Sequence, residues 1–123
     1  MKIRIFDDSI RLRLDRDEVD AIARSEAVEC HTHFPGGGIF AYRLSVAEVE
    51  VVSAKVAGPC IEVSLPTTVA CEWASDDAQV SIRAEQPVAD GDLALLVEKD
   101  FECLDPREGE DQTNRFKNPK ALA

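Results

Sequence analysis

The apolar pattern of the first half of this chain is written again in the second half. Displaced by 51 positions, Ile10 falls on Ile61, Leu12 on Val63, Leu14 on Leu65, Val19 on Ala70 and Ile22 on Trp73; one inserted residue later Val28 falls on Val80. Each set starts with the alternation of a half-buried strand and continues with the spacing of one helical face. The pattern predicts a strand-strand-helix-strand-strand unit used twice. Neither unit can cover its own apolar face, so the two are expected to close on each other around a pseudo-twofold axis.

Within the first unit, Ile3 and Ile5 alternate with Lys2, Arg4 and Phe6, and Ile10, Leu12 and Leu14 alternate with Arg11 and Arg13 after the Asp7-Asp8-Ser9 break. That is a hairpin with one apolar face. Asp15 and Glu18 have the spacing of a capping box, and Val19, Ile22 and Ala23 share a helical face, which predicts a short helix over residues 16–25. Two β-prone runs, 28–34 and 39–46, then flank Pro35 and three glycines.

The second unit reads as a strand over 49–56, a Gly58-Pro59 turn and a strand through Ile61, Val63 and Leu65. Pro66-Thr67-Thr68 is a helix start in which Thr can cap, and Val69 with Trp73 is an i,i+4 apolar pair. A strand near 79–84, a loop over 87–92 and an apolar run over 93–97 follow. The expected fold class is α+β: a single compact domain over residues 1–104, mostly antiparallel strands with two short helices. From 105 to 123 the composition becomes that of an acidic and polar tail or arm, either solvated or anchored by Phe116 on the body or on a neighbouring subunit.

A chain of 123 residues suits one domain with a real core. Its formal net charge of −10 opposes binding to nucleic acid and to an anionic membrane surface, both of which attract cationic proteins. The opening MKIRIFDDSIRLRLDRD lacks the apolar core of a signal peptide, and no apolar run is long enough to cross a bilayer, so a cytoplasmic protein is expected. Cys30, Cys60, Cys71 and Cys103 are then expected to be reduced.

The most chemical-looking stretch is CHTHFPGGG, residues 30–38. On a strand, His31 and His33 project to one side and could hold one side of a zinc or copper site, with a third ligand from Cys71, Cys103 or a carboxylate. The plainer reading is a partly exposed strand face running into a hairpin turn. A phosphate cradle would lead into a helix, whereas a strand-like run follows these glycines. Cys103 is a thiol candidate, although Val97, Phe101 and Cys103 can equally plug the core. A catalytic thiolate needs a base, and both histidines lie in the other half of the chain. Lys2, Arg4, Arg11 and Arg13 share the polar face of the first hairpin. They call either for acids of the same chain or for an acidic partner.

The segments KIRI…SIRLRL (2–14), THFPGG (32–37), VEKDFECL (97–104) and EDQ…NP (110–119) together resemble a family of small bacterial proteins known only as a domain of unknown function. The resemblance spans nearly the whole chain. It implies a fold built as one unit and assigns no activity, cofactor or catalytic residue. Members commonly carry an acidic or basic residue where this chain has His31, so it implies no shared metal role there.

No catalytic triad, paired-cysteine zinc spacing, dinucleotide fingerprint or EF-hand loop is present. The sequence therefore leans away from an enzyme and from any cofactor. It points to a binding or interaction module with a protein partner or a second copy of itself. The alternative is a small metal- or thiol-dependent protein using His31, His33 and cysteines.

Overall fold

The computed structural model describes residues 1–100 of the chain. In chain order the elements are β1 (Lys2–Ile5), β2 (Ser9–Leu14), α1 (Arg16–Ala23), β3 (Val28–His33), β4 (Ile39–Ala47), β5 (Ser53–Ala57), β6 (Cys60–Pro66), α2 (Thr67–Ser75), β7 (Ser81–Val88) and β8 (Gly91–Lys99). They form a single α+β domain with two four-stranded sheets, ordered β1-β2-β8-β7 and β3-β4-β6-β5. Both helices pack on the inner faces around one core that contains Leu12, Leu14, Ile22, Leu44, Val63, Leu65, Trp73 and Val97. Among the described residues, no helix is long and apolar enough to cross a membrane.

Each half of the chain contributes one hairpin to each sheet. The halves meet through two parallel pairs, β2 with β8 and β4 with β6, while every other pairing is antiparallel. Read from β5, the second sheet runs β5-β6-β4-β3, which is the order of the first sheet with the halves exchanged. The register is exchanged as faithfully: Ser9 lies opposite Ala94 and Cys60 opposite Ala41, and the Ala94 and Ala41 N–H groups donate to the carbonyls of Asp8 and Pro59, both at 2.9 Å. Polar contacts also link the sheets at their edges. Gln86 Oε1 accepts from the Ala54 N–H at 2.8 Å, and the Tyr42 hydroxyl donates to the Met1 carbonyl at 2.8 Å.

Several local expectations shift. The capping box at Asp15 and Glu18 is present, but α1 stops at Ala23, because Ser25 takes a left-handed conformation (φ 59°) and closes the helix. Its N–H donates to Ile22 O, and the Glu26 N–H to Ala21 O, each at 2.9 Å, which is the paired bonding of a Schellman close. Pro66, not a threonine, is the residue before α2, and no side chain caps that helix. β5 starts at Ser53 rather than at Val49. β7 extends through Pro87, which an edge strand tolerates because one side of it has no ladder to join. The CHTHFPGGG stretch closes the β3–β4 hairpin, with Gly36 and Gly37 at φ 84° and 87°, where side chains with a Cβ are strained.

Candidate functional site

Alternation along β1, β2, β8 and β7 turns Leu12, Leu14, Leu95 and Val97 into the core. It sends Lys2, Arg4, Arg11, Arg13, Ala94, Leu96, Glu98, Asp100, Arg83 and Glu85 to the opposite, outer face, which divides into two zones.

In the first zone the cations of the opening hairpin meet acids at the end of β8. Arg11 Nε donates to Glu98 Oε1 at 2.7 Å. Arg13, opposite Glu98 in the ladder, brings Nε to 3.1 Å from the same oxygen, but that Nε makes no directed hydrogen bond, so the attraction is electrostatic. Arg13 Nη2 and Lys2 Nζ each lie 3.3 Å from a carboxylate oxygen of Asp100. Three of the four hairpin cations thus have acidic neighbours in their own chain.

The second zone is a cleft of about 720 Å³ toward the turn end of the same face. Ala94 and Leu96 form its floor. The short Ala94 side chain leaves the depression between Ser9 on β2 and Glu85 on β7, its ladder neighbours. Arg4, Arg11 and Phe6 line one side, and Arg83 lines the other. Phe6 is 67% exposed. Among the described residues, Arg4 and Arg83 have no ion-pair partner. The sequence marks Arg4 through its hairpin but not Arg83, because nothing local shows that β8, and with it β7, joins β2 of the first hairpin. The one available signal was the Arg83-Ala84-Glu85 alternation, which places both charges on one side of a strand.

The outer face of the second sheet holds the equivalent row, Lys55, Glu62, Arg43 and Glu29, across β5, β6, β4 and β3. Here signs alternate. Glu62 lies 3.3 Å from Arg43 Nε and 3.6 Å from Lys55 Nζ.

His31 and His33 are exposed on one side of β3, as the spacing implies, with His31 Nε2 3.3 Å from Glu29 Oε2. Cys30 points the other way, its Sγ 3.6 Å from the Met1 carbonyl. Among the described residues, no three His, Cys, Asp or Glu side chains converge to hold a metal ion. Cys71 is exposed on α2. Cys103 and the tail over 105–123 lie outside the described residues.

Two buried polar groups went unnoticed in the sequence. The Met1 ammonium is ion-paired with Glu18; burial alone would lower its pKa, but the hydrogen bond and charge of Glu18 prevail and hold it above the usual value. Burial raises the nearby Tyr42 hydroxyl, with Cys30 adding to the effect. Lys99, 2% exposed, donates from Nζ to the Asp76 carbonyl at 2.8 Å and sits 5.6 Å over the Trp73 ring. Burial lowers its pKa, and the charges of Asp77 and Asp76 oppose that shift.

The family described as a family of unknown function, DUF7009, matches residues 1–120. The chain belongs to DUF7009. That match covers every described element of both sheets and both helices. No curated protein and no solved structure matches this DUF7009 chain.

Proposed function

We propose that this DUF7009 protein is a binding module that takes an anionic ligand in the cleft on the outer face of the first sheet. The observation that carries this reading is the pair Arg4 and Arg83. In a chain with 24 acidic and 14 basic residues, acids are plentiful, and Arg11, Arg13, Arg24 and Arg43 all have one within ion-pair distance. Arg4 and Arg83, the cleft's arginines on the two edge strands, have none among the described residues.

Arg4 and Arg83 stand on the two edge strands, three strand spacings apart, or roughly 14 Å between backbones. Guanidinium groups so placed suit two carboxylate or phosphate groups, and the floor of Ala94 and Leu96 beside Phe6 suits an apolar or aromatic body between them. A polyanion such as nucleic acid is disfavoured by the charge of −10. The lining also favours binding over catalysis. The Ser9 hydroxyl donates to the Phe6 carbonyl at 2.7 Å and is not aimed at a base.

The test is an NMR titration with terephthalate, an aromatic ring between two carboxylates. Saturable shifts confined to Ala94, Leu96 and Phe6 are expected. Arg83→Gln and Arg4→Gln should each weaken binding about tenfold, the worth of one charge-assisted hydrogen bond, while Lys55→Gln on the other sheet leaves it unchanged. Shifts that fail to saturate, or that persist in both arginine variants, would overturn the assignment.

A further inference from the structure

The two outer faces share one topology and carry different charge patterns. Across the first sheet the row reads Arg4, Arg11, Leu96, Arg83; the equivalent row of the second reads Lys55, Glu62, Arg43, Glu29. The second row alternates plus, minus, plus, minus. We propose that the outer face of the second sheet is an interface between two copies of this chain, related by a twofold axis through the middle of that row.

A twofold axis lying in the interface plane, parallel to the strands and midway between Glu62 and Arg43, turns one outer face onto the other and reverses the row on the facing copy. Lys55 of one copy then stands over Glu29 of the other, and Glu62 over Arg43, so all four cross-contacts join opposite charges. This is the self-complementarity that an isologous interface requires. Part of the desolvation cost is already met, since Glu62 is engaged by Arg43 and Lys55 within its own sheet. The flanking positions are small except at β3: Ala57, Cys60, Ala41 and the larger, exposed His31 lie on one side of the row and Ser53, Ser64 and Ser45 on the other, so that His31 of one copy stands over Ala57 of the other and the sheets can approach to about 10 Å. The same operation on the first sheet sets Arg4 over Arg83, like against like. That face repels its copy and leaves its cleft open in the dimer.

Four strands and about five residues of each give a face of roughly 19 by 17 Å, below the usual area of a stable interface. The association is accordingly weak and concentration-dependent, and it weakens further as salt screens the row.

Sedimentation equilibrium of the full chain at low ionic strength tests this. The wild type should show monomer–dimer exchange; Lys55→Glu should weaken it at least about tenfold. Lys55→Glu combined with Glu29→Lys restores complementarity about the axis and should recover the dimer. Both variants change exposed side chains, and far-UV circular dichroism confirms their folding. A wild type that keeps monomer mass up to about millimolar concentration, or a Lys55→Glu protein that dimerises as well as wild type, would overturn the interface. A double variant that remains monomeric would overturn the twofold register. Because this face is separate from the cleft, its failure leaves the anion-binding reading standing, and the reverse holds.

Discussion

The indole Nε1 of Trp73 donates to the carbonyl of Val80 at 3.1 Å, and the same carbonyl accepts the Lys99 backbone N–H at 3.0 Å. One oxygen thereby joins α2, the entry to β7 and the end of β8. Trp73 is also fully buried in the core. Trp73→Ala should cost about 3–5 kcal/mol. Trp73→Phe, which keeps most of the apolar body and gives up the hydrogen bond, should cost about 1–2 kcal/mol. Urea unfolding followed by far-UV circular dichroism separates the two.

The end of α1 can be improved. Ser25 holds φ 59° at the position where Schellman closes usually carry glycine. Ser25→Gly relieves about 1–2 kcal/mol of left-handed strain and loses some of that to the freer unfolded chain, for a net gain of about 0.5 kcal/mol. Ser25→Val should lower stability instead. Melting temperatures of the two variants measured side by side decide it.

Stability should fall on the alkaline side through Met1. Its ammonium has a folded pKa above its unfolded value of 8.0, so the folded state binds the proton more tightly. That contribution is fully present below pH 8 and is lost as pH rises through the folded pKa. Glu18→Gln keeps the capping geometry, in which Glu18 and Asp15 bond each other's backbone N–H groups at 3.0 Å, and removes the charge. It should cost about 1 kcal/mol at pH 7 and flatten the decline above pH 8 in chemical-denaturation curves taken across pH.

Among the described residues, Glu85 is the one carboxylate that lines the arginine cleft. Glu85→Gln should tighten terephthalate binding roughly two- to fivefold, as expected for removing one exposed like charge. Unchanged or weaker binding in the same NMR titration would show that the ligand does not sit beside β7.

Much of the fold was legible because hydrophobic period reports local structure directly. Leu12, Leu14, Val19 and Ile22, and their counterparts Val63, Leu65, Ala70 and Trp73, are all in the core. What alternation cannot carry is the partner of a strand. Ile10, Leu12 and Leu14 would read the same whether the second neighbour of β2, across from β1, came from its own half or, as it does, was the parallel β8. The cleft stayed hidden for that reason: Arg4 and Arg83 come to one face only once β2 of one hairpin pairs with β8 of the other. The caps divide similarly. Asp15 with Glu18 is a recognised spacing, whereas the serine closing α1 and the uncapped start of α2 break the usual residue preferences.

The two parallel pairs also set an order of events during synthesis. β2 leaves the ribosome early, yet its central neighbour in the sheet spans Gly91–Lys99, and at about 5–20 residues per second that strand follows roughly 4–15 s later. Until then the first hairpin has one open side, and α1 has only part of the surface it will cover. Pairings so distant along the chain place folding in the slower range for a domain of this size. A nascent chain halted before Gly91 would display an unfinished sheet, and closure of that sheet coincides with the arrival of its last strand.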